Sequence, residues 1–217
     1  MDESVSTQDV DALDRDVALK AGIPTRAVEL RMRLCDGKLP MYERHLKALK
    51  NYGLGGPMQS WLRTRMEYVL ENHAPTHPDG VLHMTATPDG KVLFEVEPQG
   101  EAPVLSVDDC VVEEGVVSGV RVYAEPAQID LSPLWIADSQ AKTLVVGAEE
   151  LVFASCTTLK DLARTIGWTV DIRPVRQDQV AQDAFVVTDE FGVLPVVEGP
   201  AYQVFAPLMA RLWQKRD

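Results

Sequence analysis

The run Ser155-Cys156-Thr157-Thr158 stands directly before a segment with helical apolar spacing. Backbone N–H groups and hydroxyls at a helix start can hold an anion such as phosphate, because the aligned peptide dipoles leave partial positive charge there. Ordinary N-capping is the commoner role of such residues, and anion binding is the alternative that the run also allows. Cys156, so close to a helix start, is expected to have a lowered thiol pKa, but no histidine neighbours it in sequence to complete a nucleophilic pair. His73 and His77 are four apart, a spacing that suits a metal on a helix, yet Pro75 lies between them and breaks that geometry. They are read as solvated loop histidines, so no metal site is expected. His45, beside an apolar stripe, is read as a packed or capping residue.

Phosphate-loop, dinucleotide-binding, nucleophile-elbow and zinc-protease motifs do not occur in the 217 residues. A formal net charge of −12 argues against nucleic acid or an anionic membrane as partner, since neutralising phosphates needs clustered Lys and Arg. No apolar run reaches the roughly 20 residues of a membrane helix. The polar, acidic start MDESVSTQDVDALDRD does not read as a signal peptide. Cys35, Cys110 and Cys156 are odd in number and widely spaced, which suits reduced thiols and a cytoplasmic setting. The carboxylate pairs Asp108-Asp109, Glu113-Glu114 and Glu149-Glu150 read as solvated turns.

The elements that must position these residues fall into two lobes, 1–98 and 104–217, joined by a linker at 99–103 (QGEAP). Residues 1–12 read as a loose arm. In the first lobe, residues 26–34 alternate as a strand, and Asp36-Gly37 signals a hairpin into a second strand. Helical spacing starts at Tyr42 and stops at Gly53, Gly55 and Gly56. Pro57 then opens a second helix with an apolar stripe of Met58, Trp61, Leu62, Met66, Val69 and Leu70. A hairpin follows at 81–87 and 91–97. In the second lobe, 104–122 reads as strands and 134–144 as a helix capped by Ser132, and 151–154 reads as a short strand. Residues 158–166 form a helix stopped by Gly167. Strands at 168–172, 185–188 and 194–197 and a short polar helix at 177–182 precede a closing helix at 202–213.

This order of segments resembles the class IV aminotransferases and 4-amino-4-deoxychorismate lyases, the fold type IV pyridoxal-phosphate enzymes. Asp14-Arg15-Asp16, Gly22–Leu34, Asp36-Gly37-Lys38 and His45-Leu46-Lys47-Ala48-Leu49 follow the family's first-lobe pattern in order. Leu162–Pro174 (LARTIGWTVDIRP) and Ala181–Val196 (AQDAFVVTDEFGVLPV) are similar to its C-terminal segments. The resemblance implies an α+β, two-lobed class IV aminotransferase-like (D-amino acid aminotransferase-like) architecture with a shortened second lobe. It also implies pyridoxal phosphate as cofactor, a small-molecule amino substrate and a homodimer. The stripe from Met58 to Leu70 is a candidate for the dimer contact, with packing inside the lobe as its alternative.

The departures define two functional expectations. The family's phosphate-holding Arg is replaced by Ala48, its GxTR turn by Phe153-Ala154-Ser155-Cys156, and its strand carrying the pyridine-nitrogen Glu has no counterpart. A pyridoxal enzyme needs one dry, uncharged lysine to attack the aldehyde. The second lobe offers Lys142, Lys160 and Lys215, and Lys142-Thr143 is its one KT pair. The first expectation is therefore a transaminase or aminodeoxychorismate-lyase-like enzyme, with Lys142 catalytic and Ser155, Thr157 and Thr158 holding the cofactor phosphate. The alternative is a degenerate, cofactor-free homologue acting as a binding or subunit-interaction protein.

Overall fold

The computed structural model describes residues 27–54, 57–123, 131–147, 153–180 and 183–213. Residues 1–12, Asp14–Asp16, Glu149-Glu150, Leu151 and Lys215, for which the sequence raised expectations, lie outside them. Two compact units separate after Gly100.

In the first unit, β1 (Val28–Arg33) pairs antiparallel with β2 (Val81–Ala86), and β2 with β3 (Val92–Glu97). The alternation expected of 26–34 is present: Val28, Leu30 and Met32 are buried, and Glu29, Arg31 and Arg33 are half-buried on the opposite face. Between β1 and β2 run α1 (Tyr42–Ala48) and α2 (Pro57–Asn72). Asp36 and Gly37 take positive φ, 54° and 71°, as the DG signal requires, but they close only a single bridge, Cys35 to Lys38. No second strand follows, because the chain turns directly into α1. Met58, Leu62, Met66 and Val69 are buried beside Leu46, Leu49 and Phe94. The stripe considered for a dimer contact is thus spent mainly on this unit's own core. His45 is buried in α1, as its apolar neighbours implied.

In the second unit, a five-stranded sheet runs in the order β11-β10-β6-β7-β8. Its strands are β6 (Leu134–Asp138), β7 (Thr143–Gly147), β8 (Thr169–Ile172), β10 (Ala184–Thr188) and β11 (Gly192–Val197). All neighbours are antiparallel except β7 and β8, which are parallel across the helix α3 (Ala154–Thr165). A second sheet of β4 (Cys110–Glu113), β5 (Val116–Val120) and β9 (Val175–Arg176) covers one face. Val117, Val120 and Val175 from it meet Leu134, Val145, Val186, Leu194 and Val196 in one core. On the other face the rings of Trp135, Phe185, Phe205 and Trp168 contact in series, at centroid distances of 6.4, 6.2 and 5.2 Å. Phe205 comes from the last helix, α4 (Pro200–Ala210).

Two sequence expectations are corrected here. Residues 134–144 are not a helix but β6, a turn and the start of β7, and Ser132 bridges Val120 instead of capping. Trp135, Ile136, Val145 and Val146 alternate across a sheet buried on both faces, where an apolar run carries no helix-versus-strand information. The helix expected at 158 starts four residues earlier, so Ala154 opens it instead of ending a strand, and Gly167 terminates it at φ 82°.

Candidate functional site

The structure does not bring the four expected site residues together. Lys142 is exposed, at φ 50° in the turn before β7, and its carbonyl accepts the N–H of Thr169 at 2.9 Å. That places it beside the chain that leaves the end of α3. Ser155, Thr157 and Thr158 lie in the first turns of α3, whose 12 residues extend roughly 18 Å. Lys142 and Ser155 therefore sit at opposite ends of the same helix. Among the described residues no lysine is buried: Lys38, Lys47, Lys50, Lys91 and Lys142 are exposed and Lys160 is half-buried. None of them stands in the dry pocket that an amine attacking an aldehyde needs.

The α3 start carries its own anion. Its N-cap, Phe153, has no side-chain acceptor, so the first N–H groups need one from elsewhere. Asp189 supplies it: Ser155 N–H donates to Asp189 Oδ1 at 2.7 Å, and the carboxylate is buried at 7% exposure. The threonines turn back on their own helix, both hydroxyls donating to the Ala154 carbonyl, at 2.9 Å from Thr157 and 2.8 Å from Thr158. Ser155 Oγ is fully buried and has no hydrogen-bond partner. The adjacent Glu190 is also buried and accepts the Tyr123 hydroxyl at 3.0 Å. A phosphate dianion at this point would meet Asp189 at close range, a like-charge approach that a buried site disfavours strongly. The residues present do not fit the phosphate of pyridoxal phosphate here.

Cys156 corrects a second expectation. It is completely buried, its thiol donates to the Val187 carbonyl at 3.5 Å, and burial first, then the Asp189 charge, push its pKa up rather than down. The Trp135 indole N–H and Ser155 Oγ approach this thiol without forming geometric hydrogen bonds. Cys35, Cys110 and Cys156 are all free thiols.

A second carboxylate does the same work at the other end of β10. Asp183, at φ 44°, accepts Ala201 N–H at 2.6 Å and Tyr202 N–H at 3.2 Å at the start of α4, and Ser139 Oγ at 3.2 Å. The N-cap here is Gly199, and a Cβ on it would come within 2.5 Å of the Asp183 side chain. Asp183 borders an open cleft of about 880 Å³, lined also by Asp138, Asp178, Glu198 and Arg173. Sequence reasoning missed both aspartates as caps. The signal present was their position, immediately before and after a strongly apolar strand, but the helices they cap are distant in sequence.

With this geometry in view, known structures supply the comparison. A hypothetical aminotransferase from Mycobacterium tuberculosis in its PLP-bound form aligns at a TM-score of 0.65 and 16% identity, over 90% of each chain. The 4-amino-4-deoxychorismate lyase from Pseudomonas aeruginosa aligns at 0.61 and 16%, over 86% of this chain and 90% of that one. A fold IV transaminase from Curtobacterium pusillum aligns at 0.62 and 13%, over 87% and 84%. The fold is that of the class IV aminotransferases and 4-amino-4-deoxychorismate lyases. No protein-family profile and no curated protein sequence matches the chain. The fold type IV architecture expected from the order of segments is therefore present, at identities that speak for the fold and not for a reaction. Among the described residues no helix is long and apolar enough to cross a membrane.

Proposed function

We propose that this chain is a cofactor-free protein on the fold type IV scaffold, acting by binding or subunit interaction and not by Schiff-base chemistry. The observation that carries this reading is the buried Asp189 carboxylate on the Ser155 N–H, 2.7 Å away, where a cofactor phosphate would need that donor. The exposure of Lys142 at the far end of α3 supports it.

The competing reading is a pyridoxal-phosphate enzyme, a transaminase or aminodeoxychorismate-lyase-like eliminase. It would have Lys142 as the reactive amine and Ser155, Thr157 and Thr158 around the phosphate, and would act on a small amino substrate. It is favoured by the likeness to a PLP-bound aminotransferase and to a 4-amino-4-deoxychorismate lyase. A cytoplasmic homodimer without nucleic-acid or membrane partners belongs to both readings, and light scattering on the purified chain checks the dimer.

Absorbance separates the two. Purified protein mixed with pyridoxal phosphate is expected to show no near-visible band beyond that of the free aldehyde. A saturable band would overturn the cofactor-free reading, and its loss in Lys142→Ala would assign the amine.

A further inference from the structure

The polar face of the first-unit sheet carries a cluster that neither functional reading uses. In the β2–β3 register His83 lies directly opposite Glu95, and Glu97 is two residues further along β3 on the same face. On the other side His83 is opposite Arg31 of β1. One nitrogen of His83 and one oxygen from each of Glu95 and Glu97 all lie within 4.8 Å of one another. All three residues are half-buried, so their side chains are held by their surroundings without being sealed from solvent.

The geometry points to a binding site for a divalent transition ion of the zinc class, with His83 Nδ1, Glu95 and Glu97 as protein ligands and water completing the shell. Two ligands on tetrahedral zinc, each about 2.0–2.1 Å from the ion, are roughly 3.3 Å apart. His83 Nδ1 and Glu97 Oε1 stand 3.3 Å apart already. Glu95 reaches the same point by rotation of its own side chain, since its backbone is fixed opposite His83. One imidazole with two carboxylates is a donor set that suits zinc-class ions better than magnesium or calcium, which take oxygen alone.

The groups around the cluster hold the ligands in place. His83 Nε2 faces Thr85 Oγ1 at 3.5 Å, which leaves Nδ1 as the nitrogen turned toward the carboxylates. Arg31 Nη1 donates to Glu97 Oε2 at 3.0 Å, so one oxygen of Glu97 is anchored while the other points at His83. Arg31 and Arg33 of β1 share this face with the two carboxylates, so the ion would be held by ligation and not by net charge. His83 and Glu95 are 12 positions apart in sequence, and only the hairpin register joins them, so no spacing rule exposes the set.

The test uses the full chain, free of tags and treated with chelator, titrated with zinc chloride by calorimetry. Cobalt(II) serves as a visible reporter of imidazole and carboxylate ligation. One saturable ion per chain is expected, weakened at least tenfold by His83→Ala and by the near-isosteric Glu95→Gln, and unchanged by His77→Ala. Circular dichroism confirms that each variant is folded, and Glu95→Gln carries the test if His83→Ala is not. Absence of saturable binding at millimolar zinc overturns the site. So does one-to-one binding that both variants leave intact.

Discussion

The two ends of β10 solve the same problem with different consequences. Asp183 before the strand and Asp189 after it each reach a helix start that has no cap of its own, α4 behind Gly199 and α3 behind Phe153. Asp183 binds two helix N–H groups and the Ser139 hydroxyl, and it borders an open cleft. Asp189 binds the Ser155 N–H beside a second buried carboxylate, Glu190, and a buried hydroxyl without a hydrogen-bond partner. The two helix starts differ in what surrounds the capping carboxylate. The α4 cap is a well-satisfied structural joint. The α3 cap fills the one position that the sequence marked as an anion cradle, and it leaves Ser155 Oγ unsatisfied.

The largest effect should come from severing what the two helices share. Phe205 touches both Phe185 of β10 and Trp168, which follows α3. Phe205→Ala is expected to cost about 3–5 kcal/mol in urea unfolding and to loosen both helix starts together. Protection of the Ala201 and Ser155 amides in hydrogen exchange reports each end separately, and a loss confined to α4 would show that the two caps are independent.

Next comes the pair of caps. Asp183→Ala removes three hydrogen bonds from a buried carboxylate and is expected to destabilise by about 2–3 kcal/mol. Asp189→Ala is expected to cost about 1–2 kcal/mol. Urea unfolding measures both costs, and no loss from either variant would contradict that carboxylate's role as a cap. Gly199→Ala tests the α4 end by sterics, since its Cβ would press on Asp183, and it should mimic part of the Asp183→Ala loss.

Smaller effects probe the interior of the α3 start. Cys156 has a raised thiol pKa in the folded chain, so its proton is held more tightly there than in the unfolded chain. Its contribution to stability is present below the ordinary thiol value of 9.0 and is lost as pH rises above it. Cys156→Ala should therefore flatten the alkaline limb of the stability curve relative to the parent chain. Ser155→Ala deletes a buried hydroxyl with no hydrogen-bond partner and is expected to be neutral or stabilising by up to about 1 kcal/mol. A clear loss there would mean that the hydroxyl has a partner.

Much of the fold was legible because its signals are local. Alternation announced β1, Pro57 opened α2, Gly167 closed α3, and the runs 81–87 and 91–97 marked the β2–β3 hairpin. The β6–β7 hairpin was misread because its residues are buried on both faces, so hydrophobic period is lost. The site was hardly legible at all. Ser155, Thr157 and Thr158 do begin a helix, but what occupies that start is a carboxylate 34 residues away. Lys142 was chosen from its neighbour in sequence, whereas its environment is set by the β7–β8 pairing, which carries it to the wrong end of α3. Pairing across a sheet also assembles His83 with Glu95 and Glu97, and that register is set in space and not by sequence spacing.

The claim that Asp189 holds the α3 anion position is tested most directly at the Ser155 amide in a nitrogen–proton correlation spectrum, during titration with inorganic phosphate and then pyridoxal phosphate. The account predicts a resonance that neither ligand moves in the parent chain. A saturable shift of that amide with pyridoxal phosphate, with Asp189 intact, would contradict it.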